Sequence, residues 1–176
     1  MERIGQTAAS RTCSALAEED KIMDLLDELK KLVTKLNEEN IEYALCGGLA
    51  MAIYALPRAT LDIDILIEAS SLENTRRAVH ELGFTIQTAA MEFHGGKVHI
   101  HRVSKIEPGT GETLILDLLI VTPEVKSAWE SRTKVEWEHG TLSVVSPEGL
   151  ILLKSFRRSG QDQDDINFLR SIIDED

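Results

Sequence analysis

Aromatic side chains are scarce in this chain: two tryptophans, two tyrosines and four phenylalanines among 176 residues. Its core must therefore be packed mainly from aliphatic residues, and a hydrophobic content of 43% is enough for one domain of this length. Cysteine is scarcer still. Cys13 lies in a polar segment and Cys46 in an apolar run, far apart, which gives neither a disulfide framework nor a zinc site. No apolar run reaches the roughly eighteen residues of a membrane span, and the opening MERIGQTAASRTCSALAEED lacks the apolar stretch of a secretory signal. No membrane partner is expected, and the cytoplasm is the expected location. Basic residues are outnumbered, 19 against 30 acidic ones, for a net charge of −11. Proteins that grip phosphate backbones are usually basic. The balance therefore disfavours nucleic acid as a partner, and divalent cations would offset the charge locally.

Residues 1–17 are polar and rich in small side chains, and a disordered arm is expected there. From Glu18 to Asn37, the apolar positions Ile22, Leu25, Leu26, Leu29, Leu32, Val33 and Leu36 describe one face of a helix. IEYALC reads as a strand, GGLAMAIYAL as a short helix ending before Pro57, and LDIDILIE as a second strand. Ser70 with Glu73 offers a capping box for a helix that Gly83 stops. FTIQ is a short strand. Gly95-Gly96 turns the chain into the alternating strand VHIHRVS, and PGTGE turns it again into TLILDLLIV, apolar on both faces and hence central. A helix is expected over Pro123 to Ser131. KVEWEHGTLSVVS is a hairpin turning at His139-Gly140. Ser146-Pro147 opens another helix that Gly160 ends, and Asp162 caps the last. The expected fold class is α/β, of the α+β kind: a mixed β-sheet flanked by helices. Residues 18–146 would form the core and 147–176 a small C-terminal helical pair packed on it.

Residues two apart on a strand share a face. Asp62 and Asp64 therefore point the same way, opposite to Ile63 and Ile65, with their carboxylates about 6–7 Å apart along the strand. Such a pair can share a divalent cation, or it can simply be solvated on an exposed edge. Asp117 weighs on that choice, because in TLILDLLIV an unpartnered carboxylate would cost several kcal/mol or titrate upward. Either an Arg or Lys partner or a metal shared with Asp62 and Asp64 answers the need. Gly47-Gly48, between a strand and a helix, lets backbone amides approach an anion, or serves a tight turn.

Taken together, Gly47-Gly48 before a helix, the Asp62-Ile63-Asp64 strand and Asp117 on a later strand resemble the nucleotidyltransferase superfamily related to DNA polymerase beta. The pattern Arg58, Thr60, Asp62, Asp64 looks most like the branch that includes AbiEii-type toxins. Lys154 on one helix, with Asp162 and Asp165 opening the next, matches that branch's C-terminal pattern. The likeness covers roughly residues 40–173.

The resemblance implies a nucleotidyltransferase fold and transfer of a nucleoside monophosphate from an NTP to an acceptor, with release of pyrophosphate. It implies a two-metal Mg²⁺ site at Asp62, Asp64 and Asp117, and nucleotide contacts from Gly47, Gly48, Arg58 and Lys154. Asp117 would also help to activate the acceptor hydroxyl. Arg58 could equally be a solvated loop charge and Lys154 a snorkelling lysine. Thr60 could hold the approach to the aspartates or merely precede a strand. Asp162 and Asp165 could bear on the site or serve as a cap and a first-turn acid. His94, His99 and His101 suggest exposed positions or part of an acceptor pocket, rather than zinc. Trp129 and Trp137 suggest packing rather than base stacking.

The acceptor is not encoded in these motifs. Three readings follow: a transferase of toxin–antitoxin or defence type, an antibiotic nucleotidyltransferase of aminoglycoside or lincosamide kind, and a non-catalytic nucleotide-binding module. The chain is shorter than two-domain antibiotic-modifying members and full-length AbiEii-type toxins, which leaves room for a homodimer mate or a partner protein to complete the cleft.

Overall fold

A computed structural model describes residues 13–54, 56, 59–157 and 159–174 of the chain, with side chains from Leu25 onward. Residues 1–12 of the expected arm, and Arg58, lie outside the described residues. The first helix, α1 (Cys13–Glu38), begins at Cys13 rather than Glu18. Of its apolar positions, Leu25, Leu29, Leu32, Val33 and Leu36 are buried, while Leu26 is on the margin of exposure.

Strand β1 (Ala44–Cys46) runs directly into helix α2 (Gly47–Ile53), and β2 (Asp62–Ile67) follows. A 3-10 turn over Ala69–Ser71 leads into α3 (Leu72–Glu81). Ser71 occupies the N-cap and no side chain caps there, so the expected Ser70 capping box does not form. The 3-10 turn shifts the helix start one residue past the position from which Ser70 could reach the first free amides. At the other end Gly83, at φ +94, closes the helix as expected: its amide bonds to His80 O, and that of Phe84 to Val79 O.

Strands β3 (Ile86–Gln87), β4 (Met91–Phe93), β5 (Val98–Ile106) and β6 (Thr113–Ile120) come next. The three-residue β4 was not expected. It is a half-exposed edge piece without alternation, formed because the turn at 94–97 folds it onto β5. A 3-10 turn at Pro123–Val125 precedes α4 (Lys126–Glu130), and the hairpin β7 (Thr133–Trp137) and β8 (Gly140–Val144) follows. Helix α5 (Pro147–Ser155) has Ser146 as its N-cap, with Ser146 Oγ accepting from Gly149 N. Helix α6 starts at Gly160, so this glycine opens the last helix instead of ending the one before. The capping residue is Ser159, not Asp162. Asp162 N donates to Ser159 Oγ at 3.1 Å, and the Asp162 carboxylate accepts from Ser159 N and Oγ in return.

The strands form one mixed sheet in the order β3-β5-β6-β2-β1-β8-β7, with β4 beside β3 on the edge of β5. β6 is central, parallel to β2 and antiparallel to β5. Register assigns every side chain to a face. Ile63, Ile65, Leu116 and Leu118, all inaccessible, share one face with His101 and Lys105. Lys105 bonds Glu28 of α1, and His101 meets Arg76 of α3, so these two helices cover that face. The opposite face carries Asp62, Asp64, Ile115, Asp117, Arg102 and Ile100, and α5 lies against it. Leu150 of α5 and Leu169 of α6 belong to the same buried cluster as the sheet. No described helix is long and apolar enough to cross a membrane.

Loss of the Ser146 hydroxyl removes the α5 cap and its 2.9 Å contact with Ser131 Oγ. Ser146→Ala should cost about 1 kcal/mol in urea denaturation, with unchanged m value, whereas Ser70→Ala should shift the midpoint negligibly.

Candidate active site

Parallel pairing of β2 and β6 brings the separate acidic motifs together. Asp64 and Asp117 are register partners, and one oxygen from each of Asp62, Asp64 and Asp117 lies within 4.8 Å of the other two. Asp62 sits at the half-buried strand start, where Thr60 Oγ1 donates to its Oδ1 at 2.9 Å. Thr60 thus holds the first aspartate directly. Asp64 is 7% exposed, and no hydrogen bond reaches its carboxylate among the described residues. Burial, then the charges of Asp62 and Asp117, push its pKa up to about 7, against the pull of Arg157 and Lys154.

Gly47 exists in this geometry for two reasons. Its φ is +66, and a Cβ built there would stand 2.0 Å from Asp64 Oδ2. Any side chain would collide with the carboxylate that β2 presents. Gly48 follows, buried, in the first turn of α2. Cys46, opposite Asp64 in register, is also buried, and burial pushes its thiol pKa well up.

Asp117 is 1% exposed and has a partner that sequence reasoning did not name. Arg102, its register neighbour on β5, donates from Nε to Oδ1 and from Nη2 to Oδ2, each at 2.8 Å. The alternation of VHIHRVS places Arg102 on the same face as Ile100, but nothing local tells which strand lies alongside. The cluster therefore combines a paired carboxylate, a hydroxyl-held one and a buried one without a donor. Three hard oxygen donors with one left unsatisfied suit an oxygen-preferring divalent cation.

Lys154 is 4% exposed and does not snorkel. Its Nζ lies 2.6 Å from Asp165 Oδ2 and 3.6 Å from Asp162 Oδ1, tying α5 to α6. It still lines a cavity of about 330 Å³ beside the carboxylates, with Gly47, Asp64, Arg102 and Arg157. Most of the remaining wall is apolar: Met91, Ile100, Leu119, Leu150 and Phe156 among others. A larger cavity, about 410 Å³, opens near Leu25, Glu28 and Leu61, with Thr60 among its lining residues.

The histidines divide. His99 and His101 lie on the sheet face opposite the carboxylates, so they form no part of a pocket there. His94, at φ +52, bonds Phe156 O through Nε2. Trp129 is buried under the Arg132 guanidinium at 3.8 Å, and Trp137 packs edge-on to His139. Neither tryptophan lines the cavity.

A family model described as "Nucleotidyl transferase AbiEii toxin, Type IV TA system" matches residues 30–156. No curated protein matches the chain. Among solved structures, TM1012 from Thermotoga maritima, a protein assigned to the nucleotidyltransferases, superposes with a TM-score of 0.54 at 17% identity, over 87% of this chain and 94% of that one. The antibiotic-resistance factor ANT(2'')-Ia, in complex with adenylyl-2''-tobramycin, superposes with a TM-score of 0.58 at 14% identity, over 82% and 87% of the two chains. At these identities the two structures establish a shared fold.

The raised pKa of Asp64 has a sign. The folded chain holds a proton that the unfolded chain releases near pH 4, so stability falls as pH rises from about 4 to about 7. The full window is worth of the order of 4 kcal/mol. Thermal melts from pH 4 to 8 should show this loss in wild type and not in Asp64→Asn, and Mg²⁺ at pH 8 should raise the wild-type Tm more. Gly47→Ala should cost about 1–3 kcal/mol, and less in an Asp64→Ala background, where only the strained φ remains.

Proposed function

The chain belongs to the AbiEii family of nucleotidyltransferases, and from that premise we propose that it moves a nucleoside monophosphate from an NTP to an acceptor hydroxyl, releasing pyrophosphate, as the toxin of a toxin–antitoxin pair. Its protein partner would then be an antitoxin. The observation that supports this most is the convergence of Asp62, Asp64 and Asp117 on one sheet face beside Gly47. Bound Mg²⁺ would neutralise phosphate charge in a reaction that is mostly positioning and electrostatics.

The chain's own residues then have separate tasks. Asp62, oriented by Thr60, and Asp64 would hold a divalent cation, which would supply positive charge for the triphosphate. Asp117 orients the acceptor hydroxyl and takes its proton. The amides of Gly47 and Gly48 approach the phosphates where no side chain intervenes, and Arg58 is a further candidate for phosphate charge. Lys154 contributes from the cavity wall, although Asp165 holds its ammonium. Arg157 lines the same cavity and acts on Asp64 electrostatically, which makes it a further phosphate contact. Apart from Asp64, the charged groups of the cavity wall among the described residues are Arg102, Lys154 and Arg157, the first two already paired with Asp117 and Asp165. With Asp64 as its one acid, that wall offers little to a polycationic aminoglycoside, so the antibiotic reading gains no support from it.

Calorimetry with each NTP should show binding that requires Mg²⁺ and weakens in Asp62→Asn. Binding indifferent to both would overturn the proposal. Asp117→Asn should bind NTP and lower transfer about 100- to 10,000-fold. Labelled NTP incubated with lysate should mark a macromolecular fraction. Label confined to small molecules would instead favour an antibiotic-type acceptor.

A further inference from the structure

Three carboxylates meet at the site, but its charge is not that of three carboxylates. Arg102 covers both oxygens of Asp117 with a two-pronged contact, 2.8 Å at each prong. These bonds to Asp117, opposed by burial, raise the pKa of the guanidinium, and the charges of Asp117, Asp62 and Asp64 add to this. With all three carboxylates ionised, as cation binding requires, three negative groups and one positive group leave two negative charges, which a single divalent cation balances. The positions are also unequal. Among the described residues no donor reaches Asp64 and only Thr60 reaches Asp62, so these two are open to a cation. Both oxygens of Asp117 already accept from the guanidinium, which leaves each a single lone pair. A cation arriving there meets the guanidinium's positive charge and competes with a forked, charge-assisted pair, among the stronger polar contacts a protein makes.

We propose that Arg102 holds the third carboxylate in place of a second cation, so that the chain alone loads one divalent ion and admits another only when Arg102 releases Asp117. The proposal rests on the triad being a metal site, as argued above. The arginine side chain is 34% exposed whereas Asp117 is 1% exposed, so the arginine is the member free to move. It lines the cavity assigned to the nucleotide. A guanidinium forks to phosphate as readily as to carboxylate, so an incoming triphosphate offers Arg102 an alternative partner. Substrate arrival and opening of Asp117 are thereby the same event, which keeps the acceptor-activating carboxylate closed until a nucleotide is present.

Mn²⁺ alone is a suitable probe, read by electron paramagnetic resonance and equilibrium binding on the full chain. Wild type should bind one Mn²⁺, with an isolated-ion spectrum. Arg102→Gln should bind two, with the broadened signal of a coupled pair. Two ions of similar affinity in wild type, or one in the folded Arg102→Gln variant, would overturn the role of Arg102 and leave the metal site standing. Absence of Mn²⁺ binding in both proteins would overturn the metal site itself. Should Arg102→Gln fail to fold, Arg102→Lys decides. Losing the fork should tighten the second ion about tenfold, and unchanged second-ion affinity would count against the proposal.

Discussion

Placing Asp64 and Asp117 opposite each other on adjacent parallel strands puts two like charges at the least accessible part of a sheet, with Asp62 a short step away. In a medium that screens poorly, such a group is stable only if each member finds a counter-charge, a donor or a proton. The surrounding residues answer one by one. Thr60 holds Asp62, Arg102 clamps Asp117, and Asp64 meets its need by favouring the protonated form. Even the backbone yields, since Gly47 adopts a left-handed conformation and gives up its Cβ to make room for Asp64. The cost accepted at Asp64 is the opening a divalent cation would use.

The two faces of the sheet divide stability from chemistry. On one, inaccessible isoleucines and leucines pack under α1 and α3, each contributing about 1.5–3 kcal/mol by burial. On the other, α5 lies beside the carboxylates and α6 packs on α5, and the two carry Lys154, Asp162 and Asp165. Breaking that buried group by removing one partner would strand a charge, so the trio holds the two helices to each other while Lys154 also lines the cavity. Arg157, just past the end of α5, remains exposed and faces the same cavity.

Much of the fold was legible because its signals are local. Ser146-Pro147 caps α5 and Gly83 ends α3, each through bonds within a few residues, while the last hairpin turns at Glu138-His139, one residue before the expected His139-Gly140, because Gly140 already pairs with Trp137. Local signals also misled. Ser70 loses its cap role because a 3-10 turn precedes the helix, and Gly160 lies inside α6 because Ser159 and Asp162 bond each other one turn earlier than the pattern suggested. The edge strand Met91–Phe93 exists only through its pairing with β5, which no property of its own three residues announces.

The sequence by itself determined which aspartates share a face of their own strand, where glycine is required, and that Asp117 in its apolar run needs a partner. A strand's side-chain alternation and the cost of a buried charge are properties of short segments, and they can be read from order alone. Only the tertiary structure decided that Asp117 lies beside Asp64, that its partner is Arg102, that His99 and His101 face away from the site, and that Lys154 spends its charge on Asp165. Each of these depends on which strands and helices become neighbours. That choice is made by packing the whole chain, and it leaves no mark on the residues that end up in contact.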